Sequence, residues 1–130
     1  MFIDSHAHLD SNDLQRDLIS VLGRAEDAGV SSILTIGCVQ NETQDLSNFV
    51  ELLAAHELLY GAVGVHPHDA SFYDDQLASK ISKLMQHPKV LGWGEIGLDF
   101  HYDNSPHSKQ IEAFRGQLRQ ARATWKPVII

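Results

Sequence analysis

The sequence is poor in cysteine, in basic residues and in long hydrophobic runs. Its one cysteine, Cys38, excludes a disulfide within the chain and is typical of a reducing compartment. Lys and Arg number 10 against 17 Asp and Glu, so the net charge of −7 excludes a broad basic surface that would hold nucleic acid by charge. No basic segment followed by an apolar run opens the chain, so we expect a cytoplasmic protein without a membrane span.

What the sequence does contain is typical of one globular domain. The chain has 130 residues, of which 43% are hydrophobic and 21% are charged. This length and composition predict a single domain over residues 1–130 with a core of its own. An anionic substrate would need metal ions to offset the negative charge of such a chain.

Helical and strand patterns alternate along the chain. Short apolar runs rich in β-branched residues predict strands, and apolar residues at helical spacing predict helices between them. The predicted strands are a first one ending at His8, then Val30–Gly37, Leu59–His66, Lys89–Glu95 and the start of a fifth at Lys126–Ile130. The predicted helical stripes are Leu14/Leu18/Leu22/Ala25, Leu46/Phe49/Val50/Leu53, Leu77/Ile81/Leu84/Met85 and Ile111/Phe114/Leu118/Ala121. Trp93 and Trp125 are expected to fill gaps in the core.

This alternation predicts an α/β fold with parallel strands joined by helices. A doubly wound open sheet would show the same alternation of strands and helices, but it would concentrate its ligand-binding residues at one switch point. Polar residues instead follow several strands, and the first strand–helix turn lacks a glycine-rich phosphate loop. We therefore predict the N-terminal half of a TIM-type (β/α)8 barrel, with about four βα units and the start of strand five.

Two histidines stand at the end of the first strand. Because successive side chains of a strand alternate, His6 and His8 point to the same side. Two close imidazoles form a natural pair of metal ligands, although histidines at a strand end are also ordinary polar surface groups.

Further polar residues end the third and fourth strands. His66 and His68 follow the third, and Glu95 stands between two glycines at the end of the fourth. An unpaired carboxylate among apolar neighbours is costly, so Glu95 needs a metal ion or, alternatively, a structural Arg or Lys partner. His101 follows on a loop over the barrel mouth, where contact with substrate is expected.

Three segments resemble the N-terminal motifs of the TatD family of metal-dependent deoxyribonucleases, which are amidohydrolase-like barrels. They are Asp4–Asp10, Gly64–His68 and Gly94–Asp99, and Lys126–Ile130 resembles the segment before the family's next metal-binding histidine. The resemblance implies a hydrolase that cleaves DNA phosphodiester bonds as a 3′-5′ exonuclease, with single-stranded DNA or 3′ ends as its partner.

The same resemblance assigns roles to individual residues. It implies two divalent ions (Mg, Mn or Zn), with His6 and His8 on one ion and Glu95 bridging both. Glu95 and His66 would be catalytic, and His66, with His68 and His101, would contact the substrate.

A complete barrel of this family is roughly twice this length, and its further metal ligands, two histidines and an aspartate, lie beyond the segment matched here. We therefore expect this chain alone to lack the remaining ligands and the general base, and to form a homo-oligomer through exposed half-barrel edges. Two other functions stay open, namely an amidohydrolase of a small amide or lactone and a non-catalytic barrel fragment.

Overall fold

A computed structural model describes residues 1–41 and 43–130, apart from the side chain of Asn12. The strands are β1 (Phe2–Ala7), β2 (Val30–Cys38), β3 (Leu59–Gly64) and β4 (Val90–Trp93). The helices are α1 (Asn12–Gln15), α2 (Leu18–Asp27), α3 (Ser47–Ala55), α4 (Asp75–Leu84) and α5 (His107–Thr124), with a 3₁₀ helix at Pro67–Phe72. Within the described residues, no helix combines the length and apolar character needed to cross a membrane.

The four strands form one parallel sheet in the order β1-β2-β3-β4. A doubly wound sheet changes direction at a switch point, whereas strands that follow each other in chain order are those of a barrel. The prediction of the N-terminal half of a TIM-type barrel is therefore confirmed.

The core lies between the sheet and the helices that cross over it. Trp93 of β4, Leu59 of β3 and Leu53 of α3 are completely buried in one cluster, together with Ile81 of α4. Each such side chain stabilises the fold by about 1.5–3 kcal/mol relative to an exposed one.

The opposite face of the sheet is open. Ile3 is 69% exposed on β1, and it shares an apolar groove of about 390 Å³ with Leu34, Tyr60 and Leu91. In a TIM-type barrel this face lines the interior, which the side chains of all strands fill in layers.

The predicted fifth strand begins where expected. Val128 forms a parallel bridge with Trp93, whose backbone NH donates to Pro127 O at 2.9 Å and whose carbonyl accepts from Ile129 N at 2.9 Å. Ile96 N donates to Ile129 O at 3.0 Å, so the pairing extends beyond the end of β4.

The first predicted helix is wrong in one respect, because it is two helices. Asp17 has φ −136° and ψ 33°, which is not helical, and it separates α1 from α2. Leu14 and Leu18 both still pack against the core, so the apolar spacing gives no sign of the break.

The predicted apolar stripe of the last helix is wrong in part. Ile111 and Leu118 are exposed, and the buried residues of α5 are Gln110, Ala113, Gly116, Gln117 and Ala121. Trp125 is 94% exposed rather than buried, because it caps the helix in a left-handed conformation with φ 55°.

The close packing of α3 on the sheet generates a test at Gly61. A Cβ added there would lie 2.7 Å from Leu53 Cδ1 and 2.8 Å from Phe49 Cε1, whereas a Cβ at Gly23 in α2 would meet nothing within 4 Å. We expect Gly61→Ala to lower the free energy of unfolding by about 1–3 kcal/mol through overpacking. Gly23→Ala should raise it by about 0.5–1 kcal/mol through helix propensity. Urea denaturation followed by circular dichroism measures both, and equal stabilities of the two variants would contradict the packing described.

Candidate functional site

Polar side chains from three strands meet at the carboxyl end of the sheet. His6 and His8 lie at the end of β1, His66 follows β3 and Glu95 follows β4. They line a groove of about 830 Å³ whose wall also includes Asp69. The strand order therefore brings together the residues that the sequence places far apart.

The curvature of the sheet brings the side chains of this group into contact. Neighbouring strands lie about 4.8 Å apart, so β1 and β4 would be separated by about 14 Å in a flat sheet. His6 Nε2 nevertheless lies 3.2 Å from Glu95 Oε2, and His8 Nε2 lies 3.8 Å from the same oxygen. A contact of this kind requires the strands to curl toward each other, as they do in a barrel.

The donor atoms of His6, His8 and Glu95 have the spacing of a metal site. One ligand atom from each of the three residues lies within 4.8 Å of the other two, and the two histidine Nε2 atoms are 3.3 Å apart. Nitrogen ligands at 2.0–2.1 Å from a tetrahedral ion stand ~3.3 Å from each other. Two imidazoles and a carboxylate therefore fit a divalent cation in both chemistry and separation.

His66 approaches the same carboxylate from the other side. Its Nε2 is 3.8 Å from Glu95 Oε1, while its Nδ1 accepts a hydrogen bond from His68 N at 3.2 Å. An accepting Nδ1 assigns the ring proton to Nε2, which faces the groove. Burial lowers the pKa of His66, and the neighbouring His68 lowers it further, which favours the neutral ring.

His68 forms a close pair with Asp99, a residue of the loop after β4. The His68 Nε2 and Asp99 Oδ2 atoms are 2.7 Å apart. The hydrogen bond from His68, together with those from the backbone NH groups of His101 and Tyr102, lowers the pKa of Asp99 to about 2. Asp99 is thus an anion that ties the loop after β3 to the loop after β4.

His101 lies at the rim of the site and not in the candidate metal cluster of His6, His8 and Glu95. Its exposed ring packs edge-on against Tyr102 at a centroid distance of 4.7 Å. It lines a second groove that also includes His66 and Glu95. All of the site residues predicted from the sequence therefore border one of these two connected grooves.

Two buried glutamines of α5 hold the loops that carry these residues. Gln117 accepts from Val65 N at 2.8 Å and donates to Val65 O at 3.0 Å, directly before His66. Gln110, two helical turns earlier, accepts from Asp99 N at 2.7 Å and donates to the carbonyls of Asp99 and Ser105. Both side chains are essentially inaccessible, so the helix fixes the backbone of both loops from inside the protein.

Sequence reasoning did not find these glutamines or the role of Asp99. A stripe of apolar residues usually indicates the buried face of a helix. Gln110 and Gln117 are polar, so the apolar pattern does not mark the buried face of α5. The signal that was available is their spacing of seven residues, with the small residues Ala113 and Gly116 on the same face.

A curved half-barrel with histidines and a carboxylate converging at the carboxyl ends of its strands defines a class, the TIM-type barrels that carry a candidate metal centre at this end. Within that class, residues 3–130 match the family model described as TatD related DNase. The chain therefore belongs to the TatD-related DNase family, as its motifs predict.

Individual relatives agree with this membership. The chain is 35% identical over 130 residues to a Bacillus subtilis protein named "Uncharacterized metal-dependent hydrolase YabD", and it covers 50% of that protein. It is 35% identical over 127 residues to the "3'-5' ssDNA/RNA exonuclease TatD" of Cronobacter turicensis, of which it covers 47%. The chain thus spans about half the length of the relatives it matches.

Solved structures support the fold. The Escherichia coli protein YjjV, described as a TatD homolog, superposes with a TM-score of 0.86 at 29% identity, over 98% of this chain and 49% of that one. An uncharacterised amidohydrolase from Saccharomyces cerevisiae superposes with a TM-score of 0.74 at 19% identity, over 98% of this chain and 46% of the yeast chain. The second similarity shows the shared barrel fold alone.

The hydrogen bonds of Gln117 generate a test of how the site is held. Gln117→Leu removes both partners of Val65 and leaves a buried NH and a buried carbonyl unsatisfied, each of which costs about 1–3 kcal/mol. We expect a loss of about 2–6 kcal/mol of unfolding free energy in urea titrations. The matched control is Gln120→Leu on the same helix, which loses only a bond from Ser82 Oγ at 3.1 Å and should cost less than about 1.5 kcal/mol. Equal losses in the two variants would contradict the proposed support of the β3 loop.

Proposed function

We propose that this chain provides the N-terminal half of a metal-dependent deoxyribonuclease that hydrolyses the phosphodiester bonds of single-stranded DNA from its 3′ end. The observation that carries the proposal is the convergence of His6, His8 and Glu95 within 4.8 Å at the barrel mouth. Family membership and the names of two relatives, a metal-dependent hydrolase and an ssDNA/RNA exonuclease, support it.

The metal ligands in this proposal are His6, His8 and Glu95. We infer that two divalent ions would be held here by the two imidazoles and the Glu95 carboxylate, and this nitrogen and oxygen donor set suits Mg, Mn or Zn. When bound, such ions supply Lewis acidity toward a phosphoryl oxygen and lower the pKa of a water molecule. The carboxylate of Glu95 provides the negative charge that holds them, and the two imidazoles provide neutral donors.

The role proposed for His66 is to bind the phosphate. Its Nε2 carries a proton, faces the groove and lies 3.8 Å from the Glu95 carboxylate. A neutral NH at this place donates a hydrogen bond to a phosphate oxygen as negative charge grows on it, which makes His66 a catalytic residue. His68 and His101 contact the substrate farther along the same rim.

The charge of the chain is consistent with this arrangement. A net charge of −7 repels a polyanion from most of the surface. In the proposal the cations of the site supply the local positive charge. Binding of DNA is therefore expected only where the metal ions are present.

The metal centre generates the first test of the function. We expect His6→Ala combined with His8→Ala to weaken the binding of Zn or Mn, measured by calorimetry, by more than about 100-fold. Loss of an outer-sphere partner alone already costs about 10- to 100-fold, and these are proposed ligands. The matched control is His56→Ala combined with His87→Ala, because these histidines precede β3 and β4 at the other end of the sheet. Equal metal affinity of the two double variants would show that the ligand assignment is wrong.

The His66 proposal generates a separate test in the gene product that carries this chain. His66→Ala should lower kcat for single-stranded DNA by about 10- to 100-fold, since a hydrogen bond to a charged group is worth about 1.5–3 kcal/mol. Bound metal, measured by atomic emission, should stay unchanged because His66 is not among the ligands. His56→Ala should leave both quantities unaltered. Unchanged turnover of DNA, or preferred hydrolysis of a cyclic amide offered with the same metals, would refute the proposed role.

A further inference from the structure

The loop that follows Glu95 carries aromatic rings that the core does not use. Phe100 is 49% exposed and Tyr102 is 67% exposed, although both lie beside a polar site. Large aromatic side chains bury much apolar area when they pack, so exposed rings beside a groove are candidates for contact with a ligand.

Phe100 borders the second groove of the site. The groove has a volume of about 400 Å³, and its wall includes Leu98, Phe100 and His101. It also includes His66 and Glu95, which line the groove of the metal cluster as well. A ligand that reaches the metal cluster can therefore extend a second part of itself along the aromatic wall without leaving the site.

The ring of Phe100 is held in place. It stacks on His107 at a centroid distance of 4.0 Å and an interplanar angle of 23°, and His107 Nε2 is 2.9 Å from Asp103 Oδ1. At the start of the loop, Asp99 is fixed by His68 and by Gln110. An exposed ring that is already ordered loses little conformational entropy when a ligand binds to it.

From these contacts, and resting on the function proposed above, we propose that the second groove binds a nucleobase next to the scissile phosphate and that Phe100 is the ring on which the base stacks. A base is flat and uncharged, so stacking attracts it to a chain of net charge −7 that repels the phosphates. Stacking also accepts every base, because each has a π face.

The test uses kinetics of the gene product that carries this chain on two single-stranded oligonucleotides. One has normal bases throughout, and in the other the two 3′-terminal nucleotides are abasic. Phe100→Ala should raise KM about 5- to 20-fold on the first oligonucleotide. This is at the lower end of the effect of removing a stacking ring, because only about half of the Phe100 side chain is exposed to a base. It should leave kcat and the KM for the abasic oligonucleotide unchanged, because binding is lost equally in the ground and transition states.

Two further variants control the result. Phe72→Ala removes an equally exposed phenylalanine, 47% against 49%, from the 3₁₀ helix, and it should change neither KM. Phe100→Trp keeps a stacking surface and should preserve the KM of the unaltered protein.

The outcomes separate the two proposals. If the unaltered protein cleaves both oligonucleotides with the same KM, or if Phe100→Ala acts equally on both, the nucleobase site is refuted while the nuclease function stands. If the unaltered protein cleaves neither oligonucleotide with Mg, Mn or Zn, the proposed function fails and the nucleobase site fails with it.

Discussion

Two glutamine side chains inside the protein set the positions of both loops at the functional site. Gln110 and Gln117 pair with the backbone of Asp99 and Val65, which lie past or at the ends of strands where the sheet no longer supplies partners. Because an unpaired buried NH or carbonyl costs about 1–3 kcal/mol, the loops adopt the path that these amides can satisfy. Helix α5 thus determines where His66 and His68 stand, although it contributes no side chain to the metal cluster.

The second constraint is the sequential order of the strands. With β1, β2, β3 and β4 side by side and parallel, all carboxyl ends lie at one edge, and curvature brings the first strand toward the fourth. The 3.2 Å separation of His6 and Glu95 depends on both properties. Substitution of either histidine would remove one of the proposed ligands, whereas a change in the curvature would move all of the proposed ligands at once.

The sequence predicted those features that depend on short-range patterns. The strands end at or within two residues of His8, His66 and Glu95, and the polar residues at these ends do meet, because parallel strand ends must share an edge. The break at Asp17 was missed, since Leu14 and Leu18 keep their packing across it. The buried face of α5 was also missed, because Gln110 and Gln117 are buried by hydrogen bonds to distant backbone groups, which no spacing of apolar residues records.

Cys38 lies at the end of β2 and lines the metal groove, where burial and then the charge of Glu95 raise the pKa of its thiol to about 12. At neutral pH the thiol therefore stays protonated, whereas the thiolate is the form that reacts with peroxide and alkylating agents. The Cys38 thiol is therefore unreactive although it lines the groove. A protonated thiol is a poor nucleophile and a poor metal ligand, so the nitrogen and oxygen atoms of the groove determine its chemistry.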